Sequence, residues 1–126
     1  MYQPKKEDDI RCALEYGLSI FGGKWNARVI CVLHNKGTLR YSEIRKEMHN
    51  ITDAVLAATL KDLLKEDIIV RKQYDVIPPR VEYSLSKKGL SIVPIMGQIC
   101  LWAGQYFDDS DEDASPLCQR CKFRKN

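Results

Sequence analysis

Histidine is scarce in this chain of 126 residues, with only His34 and His49 present. Neither is spaced with cysteines or carboxylates like a metal site, and no nucleophile–base–acid triad suggests itself. A glycine-rich nucleotide loop is missing too. These absences argue against an enzyme, and no cofactor is expected. No apolar run approaches the roughly 20 residues that span a bilayer. Residues 1–9, Met-Tyr-Gln-Pro-Lys-Lys-Glu-Asp-Asp, lack the character of a secretory signal. The five cysteines, Cys12, Cys31, Cys100, Cys118 and Cys121, are odd in number and mostly far apart. They do not form a secreted disulfide framework. The expectation is a cytoplasmic protein with no membrane partner.

The net charge is +3, and it is unevenly spread. Residues 1–107 hold sixteen Lys/Arg against twelve Asp/Glu, whereas Asp108 to Pro116 is acidic only. The mildly basic part permits phosphate binding without proving it. The length suits one domain, expected over residues 1–107. Residues 108–126, acidic and then basic, are expected to be a flexible tail.

The densest information lies between Gly37 and Ser86. The pattern predicts a helix over Tyr41–Met48, a turn, and a second helix over Thr52–Glu66. Two strands follow, Ile69–Tyr74 and Val81–Ser86, joined by Asp75-Val76-Ile77-Pro78-Pro79-Arg80. This is the order of a helix-turn-helix followed by a β-hairpin wing. Upstream, helices are predicted over Ile10–Phe21 and Lys24–His34, separated by Gly22-Gly23. Trp25, Val29, Val32 and Leu33 share one face of the second. A last helix is predicted from Lys87 to about Phe107, with Pro94 kinking it or lying near its first turn. Its apolar residues cover nearly the whole circumference, so it should be buried on more than one side. The expected fold is therefore mainly α with a small β-hairpin, a winged helix-turn-helix dimerising through its first and last helices.

Thr52 is a good N-cap for the helix over Thr52–Glu66. Leu56, Leu60, Leu63 and Leu64 form its core stripe, and Ala54, Ala58, Lys61 and Lys65 face the other way. Thr52, Asp53, Ala54, Ala58 and Lys61 are candidates for reading base edges in the major groove. Small alanines allow close approach, and Asp53 can accept from cytosine or simply complement the helix dipole. An ordinary solvated face is the plain alternative. Arg80, Arg71, Lys72, Arg40 and Lys24 are candidate phosphate contacts, with random surface charge as their alternative. Arg80 stands out because Pro78-Pro79 stiffens the loop that presents it.

Cys12 stands near a helix start beside Arg11, a setting that suits a reactive sulfur; a small buried hydrophobe is the other option. Cys118 and Cys121 have half the spacing of a zinc site, but two loose thiols on a tail explain them as well. Cys31 and Cys100 read as core. Trp25, Trp102, Tyr16 and Met96 could line an effector pocket, or be core.

Taken together, several segments resemble the HxlR-type winged helix-turn-helix regulators. They are Cys12-Ala13-Leu14-Glu15, Gly22-Gly23-Lys24-Trp25, Leu39-Arg40-Tyr41-Ser42-Glu43-Ile44-Arg45 and Ile51-Thr52. Leu60-Lys61-Asp62-Leu63, Pro78-Pro79-Arg80-Val81-Glu82-Tyr83-Ser84-Leu85 and Lys88-Gly89-Leu90 complete the set. The resemblance implies a cytoplasmic transcription regulator related to the MarR group. It also implies a homodimer held by the first and last helices, and double-stranded DNA with a near-palindromic operator as partner. Several members sense oxidants, quinones or other electrophiles through a cysteine just before the first helix, where Cys12 stands. A small reactive effector is thus a further possible partner. Asp53, Ala54, Ala57 and Ala58 depart from the Gln, Lys or Arg common at these positions, so no operator sequence carries over. A winged helix that binds protein rather than DNA is the alternative function.

Overall fold

The computed structural model describes residues 10–107. Helix α1 is Ala13–Phe21 and α2 is Lys24–Lys36. Strand β1, Leu39–Arg40, leads directly into α3, Tyr41–Met48. Then come α4 (Asp53–Lys65), β2 (Ile69–Tyr74), β3 (Arg80–Leu85) and α5 (Lys87–Ala103). Among the described residues no helix is long and apolar enough to cross a membrane.

Helices α2 to α4 pack around one core. Val29, Ile30, Ile44, Leu56, Leu63 and Ile68 are fully buried in it, and Ile92 and Met96 of α5 close one side. Trp25 is only half-buried at its margin, so the stripe on α2 runs through Ile30 as well as Val29, Val32 and Leu33. Helix α4 begins as its sequence requires: the Thr52 Oγ1 accepts from the Val55 amide at 3.2 Å. It ends with Asp67 at φ 61°. The Asp67 amide donates to the Leu64 carbonyl and the Ile68 amide to the Leu63 carbonyl. That pair of bonds satisfies carbonyls otherwise orphaned at a helix end, and Asp is one of few residues that take this conformation without great cost.

The sheet differs from the expected hairpin. It has three antiparallel strands in the order β1-β3-β2, because Leu39 pairs with Tyr83 and Arg40 with Glu82. Two residues of strand carry too little pattern to be seen in a sequence. As the central strand, β3 is half-buried along its whole length instead of alternating. It starts at Arg80, so Arg80 belongs to the sheet and not to the loop. Ser86, expected at the end of that strand, is instead the N-cap of α5. Its hydroxyl accepts from the Gly89 amide at 3.0 Å and donates to the Asp67–Ile68 carbonyl pair.

The helix ends also moved. Helix α1 starts at Ala13 rather than Ile10, with Cys12 extended at its N-cap position. The Glu15 side chain accepts from the Arg11 amide at 2.9 Å, so the chain before Ala13 is held by a side chain and not by helical bonds. Helix α2 runs two residues past His34 and stops where Gly37 turns to φ 85°. Helix α5 runs through Pro94 and ends at Ala103, short of Phe107, as the Gly104 amide closes its last turn on the Cys100 carbonyl.

The first turn of α5 lies hard against the chain leaving α4. A Cβ on Gly89 would stand 2.1 Å from the Ile68 carbonyl oxygen. That oxygen already accepts from the Ser86 amide, so it cannot move freely. Gly89→Ala is expected to cost about 1–3 kcal/mol or more through overpacking, read as a lower midpoint in urea unfolding. An unchanged midpoint would show that this contact relaxes.

Candidate nucleic-acid interface

Helices α3 and α4 meet through a tight turn in which His49 and Asn50 both take positive φ, 55° and 36°. Ile51 follows and is buried, anchoring the turn in the core. The start of α4 is further tied to α3 by side chains. Arg45 Nε lies 2.7 Å from Asp53 Oδ1, and the Tyr41 hydroxyl is 3.2 Å from the same oxygen. Loss of solvent and then the Asp53 charge hold the Tyr41 hydroxyl above its ordinary pKa, so it remains a donor. Asp53 therefore has two partners inside the protein while most of its side chain stays in solvent. Neither partner was legible in the sequence, where Asp53 read as a base acceptor or a dipole partner.

Beyond Asp53, the free face of α4 is smooth. Thr52, Ala54, Ala57, Ala58, Lys61 and Lys65 are all exposed, while Leu56, Leu60 and Leu63 point into the core and Leu64 lies at its edge. Val55 is also exposed, an apolar group the sequence pattern did not single out. The N-terminal part of this face is exposed from Thr52 to Val55, the part of a recognition helix that a major groove admits.

The sheet sorts the candidate cations. Arg40 and Lys72 both lie directly opposite Glu82, and Tyr74 lies opposite Arg80. Paired residues point to one side of a sheet, as do residues two apart. Arg40, Lys72, Tyr74, Arg80 and Glu82 therefore share the outer face. Arg71 pairs with Tyr83 and belongs to the other face, which packs on the core through Leu39, Tyr83 and Leu85. The Arg80 guanidinium lies 4.2 Å from the centre of the Tyr74 ring, and Lys72 Nζ 4.9 Å from it. Lys24 is exposed but leans on Trp25, which Arg28 also covers.

The cysteines separate clearly. Cys12 is exposed at the entrance to α1 and makes no capping hydrogen bond with its side chain. Cys31 is half-buried against the core. Cys100 is exposed on α5, which corrects its reading as core: it lies one turn beyond Met96 on the same stripe, and the buried part of that stripe ends at Met96. Cys118 and Cys121 lie outside the described residues. Of the four aromatic and sulfur side chains considered for a pocket, Met96 is buried and Trp25 half-buried. Tyr16 and Trp102 are instead exposed, on α1 and α5.

Helix-turn-helix, three-stranded wing and flanking helices stand in the order shared by winged-helix regulators. A family model for HxlR-like helix-turn-helix proteins matches residues 20–111. The chain belongs to the HxlR-like helix-turn-helix family. It is 40% identical over 100 residues to an HTH-type transcriptional regulator of Methanothermobacter thermautotrophicus, covering 79% of this chain and 76% of the relative. Its fold is similar to the oxidized form of the redox regulator HypR, with a TM-score of 0.70 and 33% identity. That match covers 77% of this chain and 99% of HypR. A protein described as a MarR-family regulator from Porphyromonas gingivalis W83 gives a TM-score of 0.69 at 33% identity, covering 79% and 96%. The family and the relative are transcriptional regulators, a class of protein that is not enzymatic.

Two links inside this HxlR-like chain escaped the sequence. Lys88 Nζ donates to the Tyr16 hydroxyl on α1 and to the Glu66 carbonyl after α4, each at 2.9 Å. Its bond to Tyr16 holds its pKa above the usual lysine value. Asn26 Nδ2 donates to the Ile20 carbonyl at 2.8 Å and to Asp62 Oδ2 at 3.1 Å. Both join α1 to α4, so the helix carrying Cys12 is wired to the helix carrying the free face. Spacing alone gives no sign of either, since the partners lie 72 and 36 residues apart.

Proposed function

We propose that this HxlR-like protein is a cytoplasmic DNA-binding regulator that works as a homodimer on a near-palindromic operator. Residues 1–107 would form the binding domain and residues 108–126 an appended tail. The observation that carries this reading is the pairing of the free α4 face with the basic outer face of the sheet. One fits a major groove, and the other supplies phosphate contacts beside it. Thr52, Ala54, Ala58 and Lys61 take the base-reading positions. Arg40, Lys72 and Arg80 take phosphates, with Arg71 and Lys24 less well placed. Asp53 orients Arg45 and Tyr41 and thereby the start of α4. A gel shift with duplex DNA flanking its own gene tests the reading. Retarded complexes that dissolve as salt rises support it, and failure to bind any duplex overturns it.

We also propose that modification of Cys12 releases the DNA. Similarity to HypR, a redox regulator, favours a thiol signal, and exposure of Cys12 makes it reachable. A quinone that adds to the Cys12 sulfur places bulk at the entrance to α1. The Tyr16–Lys88–Glu66 and Ile20–Asn26–Asp62 links would carry that displacement toward α4. A Cys12→Ser protein is expected to hold DNA in a gel shift after quinone treatment that releases the parent. If Cys12→Ser still releases DNA while truncation after Asp109 does not, the switch lies in the tail.

A further inference from the structure

The outer face of the sheet sets three cations around a single carboxylate. Glu82 is directly opposite Arg40 on one neighbouring strand and Lys72 on the other, and Arg80 precedes it by two residues on its own strand. Its carboxylate is hydrogen-bonded through one oxygen and only loosely ion-paired through the other. Oε1 accepts from the Tyr74 hydroxyl at 2.8 Å, and Oε2 lies 3.6 Å from Arg80 Nε. The latter distance is too long for a hydrogen bond. Arg80 Nε is nevertheless buried and has no hydrogen-bond partner among the described residues. Tyr74 supports both ends of the pair, taking the guanidinium on its ring face and donating its hydroxyl to the carboxylate.

An arginine with a buried, unmet donor and a carboxylate just out of reach is held but not satisfied. A carboxylate among three cations on a face turned toward DNA is also out of place for a simple phosphate contact, because it repels the backbone. Both facts have one explanation. The geometry points to Glu82 as an internal stand-in for phosphate, which holds Arg80 in the free protein and competes with the DNA backbone for Arg40, Lys72 and Arg80. Glu82 and Tyr74 are then positioning residues of the wing. They keep the arginine ordered over the sheet and set how much of the wing's charge a phosphate can claim. The inference rests on the DNA-binding reading above.

Phosphate contacts are independent of base sequence, so a mixed-sequence duplex of about 40 base pairs serves as the probe. Glu82→Gln keeps an acceptor for the Tyr74 hydroxyl and removes the charge. It is expected to steepen the salt slope of binding by about 0.9 for each wing that gains a phosphate, and to raise affinity roughly tenfold near 50 mM salt. Tyr74→Phe keeps the ring under Arg80 but frees the carboxylate, and covers the case in which Glu82→Gln fails to fold. It should weaken the hold on Arg80 and shift the slope the same way by less. A general loss of negative charge, or a structural effect, would act whatever stands at position 80. The competition predicts instead that Glu82→Gln loses most of its effect in an Arg80→Gln background, a non-additivity that a double-mutant cycle measures. A parent that binds the duplex while Glu82→Gln leaves slope and affinity unchanged overturns the inference and leaves the DNA reading standing. An equal gain in the Arg80→Gln background overturns it too. A parent that binds no duplex at low salt overturns the DNA reading itself, and this proposal with it.

Discussion

Between about 50 and 200 mM salt, the affinity of the protein for its operator is expected to fall roughly 10³–10⁵-fold. The estimate follows from the sheet. In the proposed dimer each protomer would offer Arg40, Lys72 and Arg80 on one face, with Lys61 and Lys65 on α4. Two protomers that use three to five such cations each would neutralise about six to ten phosphates, and each releases condensed counterions. Fluorescence anisotropy titrations across that salt range measure the slope directly. The same titrations separate the two kinds of contact. Arg80→Ala should weaken all duplexes alike, because a phosphate carries no sequence. An exchange at Ala58, on the free face of α4, should change which duplex is preferred. Affinity indifferent to salt would rule out the wing as a phosphate-binding surface.

The second large effect is expected at the flanking helices. Helix α5 has two apolar stripes. Ile92 and Met96 are buried against the core, while Ile95, Ile99 and Trp102 form a neighbouring stripe at helical spacing that is about half exposed or more. On α1, Leu14 and Leu18, one turn apart, are exposed by 70% and 49%. So much apolar surface on two adjacent helices exceeds what scattered surface residues explain. An obligate dimer that covers it would bury more than roughly 2,000 Å². Paired Leu14→Asp and Trp102→Asp substitutions put four desolvated charges into such an interface. They are expected to give a monomer by light scattering at micromolar concentration. Operator affinity should fall by about 10²–10⁴, the usual loss when two linked contacts become one. Retention of a dimer in the doubly charged protein would place the interface elsewhere.

Much of this architecture was legible beforehand, and the reasons are local. Thr52 before an apolar-periodic segment announces a helix start, and Leu56, Leu60 and Leu63 fix which side of α4 is buried. The free face follows by elimination. What escaped was set by distant partners. Strand β1 exists only because Leu39 and Arg40 find Tyr83 and Glu82, more than forty residues away. That pairing brings Arg40 to Glu82 and puts β3 in the middle of the sheet, which is why its alternation vanished. Arg80 read as a free loop cation, since nothing nearby in sequence shows that Tyr74 is its cross-strand neighbour. Cys100 shares the stripe of Ile92 and Met96, and periodicity could not show that the core stops one turn before it.

Strand β1 also bears on how the molecule comes apart. Arg40 ends the strand and is the N-cap residue of α3, with no connecting residue between them. Pairing it with β3 ties together positions on either side of the whole helix-turn-helix. Closing a loop of that length is entropically costly, and two residues of strand recover little of the cost on their own. The link is nonetheless direct: loss of the β1–β3 pairing frees the wing and the N-cap residue of α3 at the same point. In the language of native-state hydrogen exchange, the amides of β3 and those at the start of α3 are expected to open together, as one cooperative unit.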